Sequence, residues 1–148
     1  MKSITQKILF VCTGNTCRSP IAEALWRSRG YNDVASAGVS AWSGLRAATY
    51  AREAVKPYGA SLENHRSQDL LEVDGEFDLV LTMTGDQYRR VLESRPEWAD
   101  HTFVLAELVG ESGDVGDPFG QDLGMYEAVV EEIHRLLQKL EEKLANSS

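Results

Sequence analysis

Short apolar runs alternate along the chain with segments whose apolar residues recur every three or four positions. The runs predict four buried strands, at 8–11, 33–37, 77–83 and 102–105. The periodic segments predict four helices and one short helical turn, at 21–29, 45–56, 86–94, 123–145 and 67–73. Strands that alternate with helices in this way favour a parallel sheet covered by helices on both faces. The pattern therefore predicts an α/β fold.

Two loops of this pattern are rich in chemically active side chains. One covers residues 12–19, directly after the first predicted strand, and the other covers 107–121, after the last. Binding sites in parallel sheets form in the loops at the carboxyl ends of the strands. We therefore expect these two loops to lie at the same edge of the sheet.

Length and charge restrict the class of protein. The 148 residues suit one compact domain, 1–148, and a net charge of −8 argues against binding to nucleic acid or to anionic lipid. No apolar stretch reaches the roughly eighteen residues of a membrane span. The apolar run 8–11 is too short for a signal peptide and is followed by Gly14 and Asn15 in place of a cleavage site. We expect a cytoplasmic monomer with no membrane partner.

The cysteines and histidines do not form a metal-binding pattern. The two cysteines, Cys12 and Cys17, lie in one loop and are too few for a disulfide framework. The three histidines are widely separated, and neither an H-E-x-x-H nor a C-x-x-C motif occurs. We therefore expect no metal site and no cofactor.

The loop after the first strand combines a thiol, a guanidinium and the start of a helix. Five residues separate Cys12 from Arg18, and Ser19 and Pro20 suit the N-cap and the first position of the predicted helix. Convergent backbone N–H groups and a helix N-terminus bind anions, and an arginine can hold two phosphate oxygens at once. The same positive field stabilises a thiolate, the nucleophilic form of cysteine. The loop therefore predicts covalent catalysis on a bound phosphoryl group.

Other residues of this loop suit the same role. Gly14 permits a backbone conformation that other residues resist, and Asn15 tolerates the left-handed region. The alternative is a buried structural cysteine at the end of a strand, but the combination of nucleophile, glycine, arginine and helix start favours catalysis. A nucleotide-binding loop is excluded because G-x-x-x-x-G-K-[ST] is absent. The predicted phosphate-binding loop comprises Thr13, Gly14, Asn15, Thr16, Cys17 and Ser19.

Three segments resemble the low-molecular-weight protein tyrosine phosphatases. Residues 12–20, C-T-G-N-T-C-R-S-P, resemble the family signature, and residues 36–38, S-A-G, resemble its second conserved block. Residues 117–118, D-P, resemble its general-acid block. The resemblance extends from the first predicted strand to the last predicted helix.

This resemblance implies a fold and a mechanism. The fold is a three-layer αβα sandwich with a four-stranded parallel sheet and a phosphate-binding loop after the first strand. The mechanism passes through a phosphoryl group on the sulfur of Cys12. The side chain of Ser36 is implied to brace Asn15.

The second loop carries three candidate general acids: Asp114, Asp117 and Asp122. The leaving group needs a proton as the phosphoryl group moves to sulfur, and the same carboxylate can then activate water. The residues alone do not distinguish a general acid from a solvated acidic loop. The resemblance falls on Asp117, which is therefore expected to be catalytic.

Two positions bear on the substrate. The family's tyrosine phosphatases typically have isoleucine at the position of Thr16, and tyrosine or tryptophan at that of Phe119. Thr16 and Phe119 together resemble the protein arginine phosphatase branch of the family. Threonine brings a hydroxyl that suits a polar guanidino group, whereas isoleucine packs on a phenyl ring. We expect a phosphorylated protein as substrate and phosphoarginine as the modification removed, with phosphotyrosine as the alternative.

Two further alternatives depend on the thiols. A thiol-dependent arsenate reductase has a similar first loop, but it needs downstream cysteines, and none follows Cys17. A redox-sensing phosphate-binding module is less favoured, because nucleophile, arginine and candidate acid are all present. Oxidation of Cys12 and Cys17 to a disulfide is expected as regulation of an enzyme.

Overall fold

The computed structural model describes residues 4–146, and four strands in this part of the chain form one all-parallel sheet. The strands are β1 (Ile8–Cys12), β2 (Val34–Gly38), β3 (Leu79–Thr82) and β4 (Thr102–Val104). Their order across the sheet is β2-β1-β3-β4. The predicted α/β fold with a four-stranded parallel sheet is confirmed.

The central position of β1 explains its uninterrupted apolar sequence. β1 pairs with β2 on one side and with β3 on the other, and all five of its residues are buried. Ile8 and Phe10 belong to the core on one face of the sheet, and Leu9 and Val11 to the core on the other. A strand covered on both faces needs apolar side chains on both.

Helices cover both faces and complete the three layers. The α-helices of the described residues are α1 (Arg18–Ser28), α2 (Thr49–Ala54), α3 (Gly85–Ser94), α4 (Leu105–Leu108) and α5 (Leu123–Ala145). Short 3₁₀ helices lie at Lys56–Tyr58, Leu70–Glu72 and Pro96–His101. α5 packs on α1 and α2 over one face, while α3 and the last 3₁₀ helix pack over the other. No helix within residues 4–146 has both the length and the apolar character to cross a bilayer.

The start of α1 differs from the sequence prediction. The helix begins at Arg18, three residues before the predicted start, so that Cys17 holds the N-cap position. Ser19, the predicted N-cap, therefore lies inside the first turn, where its hydroxyl is free to bond residues of the preceding loop. Arg18 is consequently fixed in a helix instead of in a flexible loop.

Several other boundaries also differ from the prediction, and the strand expected at 77–83 is shortened to β3 (Leu79–Thr82). The helix expected at 45–56 is reduced to α2, because backbone hydrogen bonds join Gly44 and Leu45 to Ser67 and hold this segment outside a helix. The last strand ends at Val104, since Leu105 begins the unpredicted helix α4. By contrast, α5 has the bounds that its apolar repeat predicted.

Candidate active site

The loop between β1 and α1 is tightly shaped. Asn15 has a φ of 56°, and it is the only non-glycine residue among those described with a positive φ. The neighbouring segment approaches so closely that a Cβ on Gly38 would lie 2.4 Å from the carbonyl oxygen of Thr13. Only glycine permits this approach. Ser40 N–H also donates to the Thr13 carbonyl, at 3.0 Å, and so holds the loop against the end of β2.

The buried side chain of Asn15 ties the loop to several surrounding elements. Its amide nitrogen donates to the hydroxyls of Ser19, at 2.8 Å, and Ser36, at 2.9 Å. Its amide oxygen accepts from the backbone N–H of Gln68 at 3.0 Å. The Ser36 hydroxyl in turn donates to Glu23 at 2.6 Å. These bonds satisfy a polar residue with no exposed surface and keep its left-handed backbone in place.

His65 supports the same loop from behind. Its Nε2 lies 2.8 Å from the carbonyl oxygen of Asn15. A carbonyl can only accept, so Nε2 carries the proton in this hydrogen bond. Sequence reasoning did not assign a role to His65, Glu23 or Gln68, because each reaches the loop only through the tertiary fold.

Cys12 lies at the base of a pocket of about 340 Å³, with only 2% of its surface exposed. Its sulfur is 2.9 Å from the hydroxyl oxygen of Ser19. The Ser19 oxygen accepts from Asn15, so its own hydroxyl proton is left to donate to another group. The Cys12 sulfur is a nearer acceptor for that proton than the Ala37 carbonyl oxygen, which is 3.4 Å away. This arrangement favours a hydrogen bond in which the Ser19 hydroxyl donates to the Cys12 sulfur.

Arg18 is the single cationic side chain among the described residues that line this pocket. It is 5% exposed, and its Nη1 donates to the carbonyl oxygen of Val115 at 2.9 Å. Its Nη2 lies 3.5 Å from a carboxylate oxygen of Asp117, whose side chain is 51% exposed. Arg18 therefore joins the loop of residues 12–19, the phosphate loop, to the loop of residues 107–121 that carries the candidate acids, the acid loop.

The three candidate acids occupy different environments. Asp117 lines the pocket and accepts from the backbone N–H of Phe119 at 3.0 Å. Asp114 accepts from the N–H of Gly85, the first residue of α3, at 3.0 Å. Asp122 caps α5. Asp117 is thus the one of the three that faces the pocket, while the other two bond helix N-termini.

The mouth of the pocket is apolar. Thr16, Trp42, Leu45 and Phe119 line it, and the last three are exposed. Tyr126 does not line this pocket; it is 4% exposed and lies against Cys17 beneath the loop.

Tyr126 and Cys17 form a buried pair. The Tyr126 hydroxyl lies 3.5 Å from the Cys17 sulfur. Burial raises the pKa of the Cys17 thiol above its ordinary value, and the hydrogen bond from Tyr126 offsets this only in part. Burial also raises the pKa of Tyr126. Cys17 is therefore a neutral thiol at neutral pH, and both cysteines are free in this structure.

The chain belongs to the low molecular weight phosphotyrosine protein phosphatase family, whose model matches residues 7–148. Across the described residues, no group of three His, Cys, Asp or Glu side chains is arranged to hold a metal ion.

Relatives with two different activities share its length. It is 43% identical to a protein-arginine-phosphatase of Bacillus subtilis over 145 residues, covering 93% of this chain and 95% of the relative. It is 36% identical to the low molecular weight protein-tyrosine-phosphatase PtpB of Staphylococcus aureus, covering 92% and 97%. Its fold matches a solved cysteine-to-serine mutant of the arginine phosphatase YwlE, described as having a phosphorylated active-site serine, with a TM-score of 0.86, 39% identity and coverage of 95% and 96%.

Proposed function

We propose that this chain is a protein phosphatase that removes phosphate from phosphoarginine, with Cys12 as its nucleophile. The observation that carries the proposal is one pocket with the Cys12 thiol at its base and Arg18 and Asp117 in its walls. The three side chains supply a nucleophile, an anion-binding guanidinium and a proton donor, which are what phosphoryl transfer to sulfur needs.

The reaction has two steps. The Cys12 thiolate attacks phosphorus and the bond from phosphorus to the guanidino nitrogen breaks, while Asp117 gives its proton to that nitrogen. Water then attacks the phosphocysteine, Asp117 takes a proton from this water, and inorganic phosphate leaves with the thiolate restored. Arg18 and the backbone N–H groups of the loop stabilise the charge on the phosphoryl oxygens in both steps.

The rest of the loop holds this geometry. Asn15 and Ser36 keep the loop in its strained shape, and Ser19 stabilises the thiolate through the 2.9 Å contact. The backbone from Thr13 to Arg18 supplies anion-binding donors, with Gly14 at a half-buried position in the pocket wall.

The phosphoarginine preference is supported by the pocket wall and by the relatives. Thr16 is half-buried in the wall, where its hydroxyl can meet a polar guanidino group, and Phe119 forms part of the rim. The 43% identical relative in Bacillus subtilis is named a protein-arginine-phosphatase. A tyrosine phosphatase remains the second candidate, because PtpB is 36% identical over nearly the same length.

Turnover of a phosphoarginine peptide and a phosphotyrosine peptide tests this preference. We expect wild type to favour phosphoarginine, and Thr16→Ile to shift the ratio of the two kcat/KM values towards phosphotyrosine by about tenfold or more, since one apolar group in a pocket is worth about that. Thr16→Val is the matched control, because it removes the hydroxyl without adding length. Wild type that favours phosphotyrosine would assign the chain to the tyrosine phosphatases.

The acid role is tested by a pair of variants in one loop. Asp117→Asn should lower kcat on phosphoarginine by about a hundredfold, because the basic leaving group then departs unprotonated. Asp114→Asn keeps an oxygen that can accept from Gly85 N–H and should lower kcat by less than about fivefold. An aryl phosphate with a good leaving group should be less sensitive to Asp117→Asn. A larger loss of kcat in Asp114→Asn than in Asp117→Asn would assign the acid role to Asp114.

The same proposal includes a cytoplasmic, single-domain monomer. A cytoplasmic location suits the mechanism because that compartment keeps the Cys12 thiol reduced. Oxidation would place a disulfide between Cys12 and Cys17 and remove the nucleophile reversibly. Light scattering of the purified chain tests the monomer.

A further inference from the structure

Gln87 is a buried amide that bonds to more than its own helix. It lies in the first turn of α3 and is 1% exposed. Its side-chain oxygen accepts from the backbone N–H groups of Met83, at 2.9 Å, and Thr84, at 3.0 Å. Its side-chain nitrogen donates to the Thr13 hydroxyl oxygen at 3.1 Å. Thr13 belongs to the phosphate loop, 74 residues earlier in the chain.

A helix cap explains only half of this arrangement. In a capping box the third helical residue needs an acceptor, and glutamate serves there as well as glutamine. Here Gln87 and Thr84 form such a box. The amide nitrogen of Gln87 adds nothing to the cap and donates instead to Thr13. A bond to Thr13 is therefore the specific consequence of having glutamine at this position.

The start of α3 and the residues just before it also hold the acid loop. Gly85 N–H donates to Asp114, and the Met83 carbonyl accepts from Val115 N–H at 3.0 Å. The Val115 carbonyl then accepts from Arg18. The segment 83–87 thus contacts the loop that carries Cys12 and the loop that carries Asp117.

We propose that Gln87 is a positioning residue, whose side-chain amide fixes Thr13 and thereby sets the phosphate loop relative to the acid loop. This inference rests on the proposed phosphatase function. Because Gln87 donates to the Thr13 oxygen, the hydroxyl proton of Thr13 stays free for another acceptor, and the loop backbone keeps one position. Loss of the amide should therefore weaken phosphate binding and slow turnover without requiring any loss of folding.

The test compares Gln87→Met and Gln87→Glu with Thr84→Ala. Gln87→Met keeps the length but loses all polar contacts, whereas Gln87→Glu keeps the acceptor of the capping box and places a carboxylate where the donor was. Thr84→Ala removes the other half of the same capping box, in which the backbone N–H of Gln87 donates to the Thr84 hydroxyl. This change leaves the bond between Gln87 and Thr13 in place. It is the matched control for a purely structural role.

Inorganic phosphate affinity by calorimetry and turnover of p-nitrophenyl phosphate are the readouts. We expect both Gln87 variants to weaken phosphate binding and kcat/KM by about tenfold, because each lacks the bond that the Gln87 amide nitrogen donates to Thr13, which is the one that reaches the phosphate loop. Thr84→Ala should lower the unfolding temperature but change phosphate affinity by less than about twofold. Thr13→Val in the Gln87→Met background should add little further loss, because both changes remove the same bond.

Three results would overturn the proposal. The first is that both Gln87 variants bind phosphate as tightly as wild type. The second is that Thr84→Ala loses as much phosphate affinity as the Gln87 variants do. The third is that the losses of affinity in Gln87→Met and Thr13→Val add fully in the double variant. The calorimetry needs no turnover, so it tests Gln87 even if wild type proves inactive. An inactive wild type that binds phosphate would overturn the proposed function alone.

Discussion

Replacement of Cys12 by serine should lower kcat by a factor on the order of 10⁴, because a serine hydroxyl is a much weaker nucleophile than the thiolate of the proposed mechanism. A serine hydroxyl is not ionised at neutral pH, and the nearest side-chain partner of Cys12 is the hydroxyl of Ser19, which is no base. Phosphate affinity should stay within about threefold, since Arg18 and the loop backbone remain. Steady-state turnover and phosphate calorimetry measure the two effects separately.

The other cysteine of the loop provides the control. Cys17 is buried against Tyr126, with a raised pKa that keeps it protonated. Cys17→Ser should therefore retain turnover within about tenfold. Equal loss in both variants would point to collapse of the loop, and substantial turnover by Cys12→Ser would rule out covalent catalysis on this sulfur.

Replacement of Arg18 by lysine should lower kcat/KM by about a hundredfold or more, even though the charge is kept. Lysine offers a point charge in place of a planar fork, so it cannot hold two phosphoryl oxygens side by side. Its single nitrogen also cannot bond the Val115 carbonyl, as Nη1 of Arg18 does, and hold the phosphoryl group from the second position of the fork; the Val115 bond links the phosphate loop to the acid loop. Both losses should be largest in the transition state, where charge on the oxygens is best matched by fixed donors.

Arg27→Lys is the control for this change within the same helix. Arg27 is exposed and pairs with Glu23 at 2.8 Å, so its replacement by lysine should alter kcat/KM by less than about threefold. Kinetics of the two variants on p-nitrophenyl phosphate make the comparison. A small effect of Arg18→Lys would mean that the guanidinium acts as a simple charge.

The layers of the fold could be predicted from the sequence because they depend on periodicity. The buried run of β1 and the apolar repeat of α5 each determine an element by themselves. The helix expected at 45–56 failed for the opposite reason. Ser67 holds the segment at Gly44 and Leu45 through backbone bonds that no local pattern reveals.

The same distinction applies to the site. The spacing of Cys12 and Arg18 at a strand-to-helix junction is local, so both could be found before the structure. The contacts of His65, Gln87 and Val115 with the loops join residues far apart in sequence, and only the fold brings them together. The sequence around Asp114, Asp117 and Asp122 does not show which of them is the acid. Their different hydrogen-bond partners in the structure distinguish them.

Trapping of the phosphocysteine tests the covalent mechanism most directly. The enzyme is quenched with denaturant during turnover of phosphoarginine peptide, digested with trypsin, and examined by mass spectrometry of the peptide 8–18. We expect this peptide to carry one phosphoryl group, with fragment ions that place it on Cys12 and not on Cys17. Active enzyme whose peptide 8–18 never carries phosphate, or carries it on another residue, would contradict the mechanism.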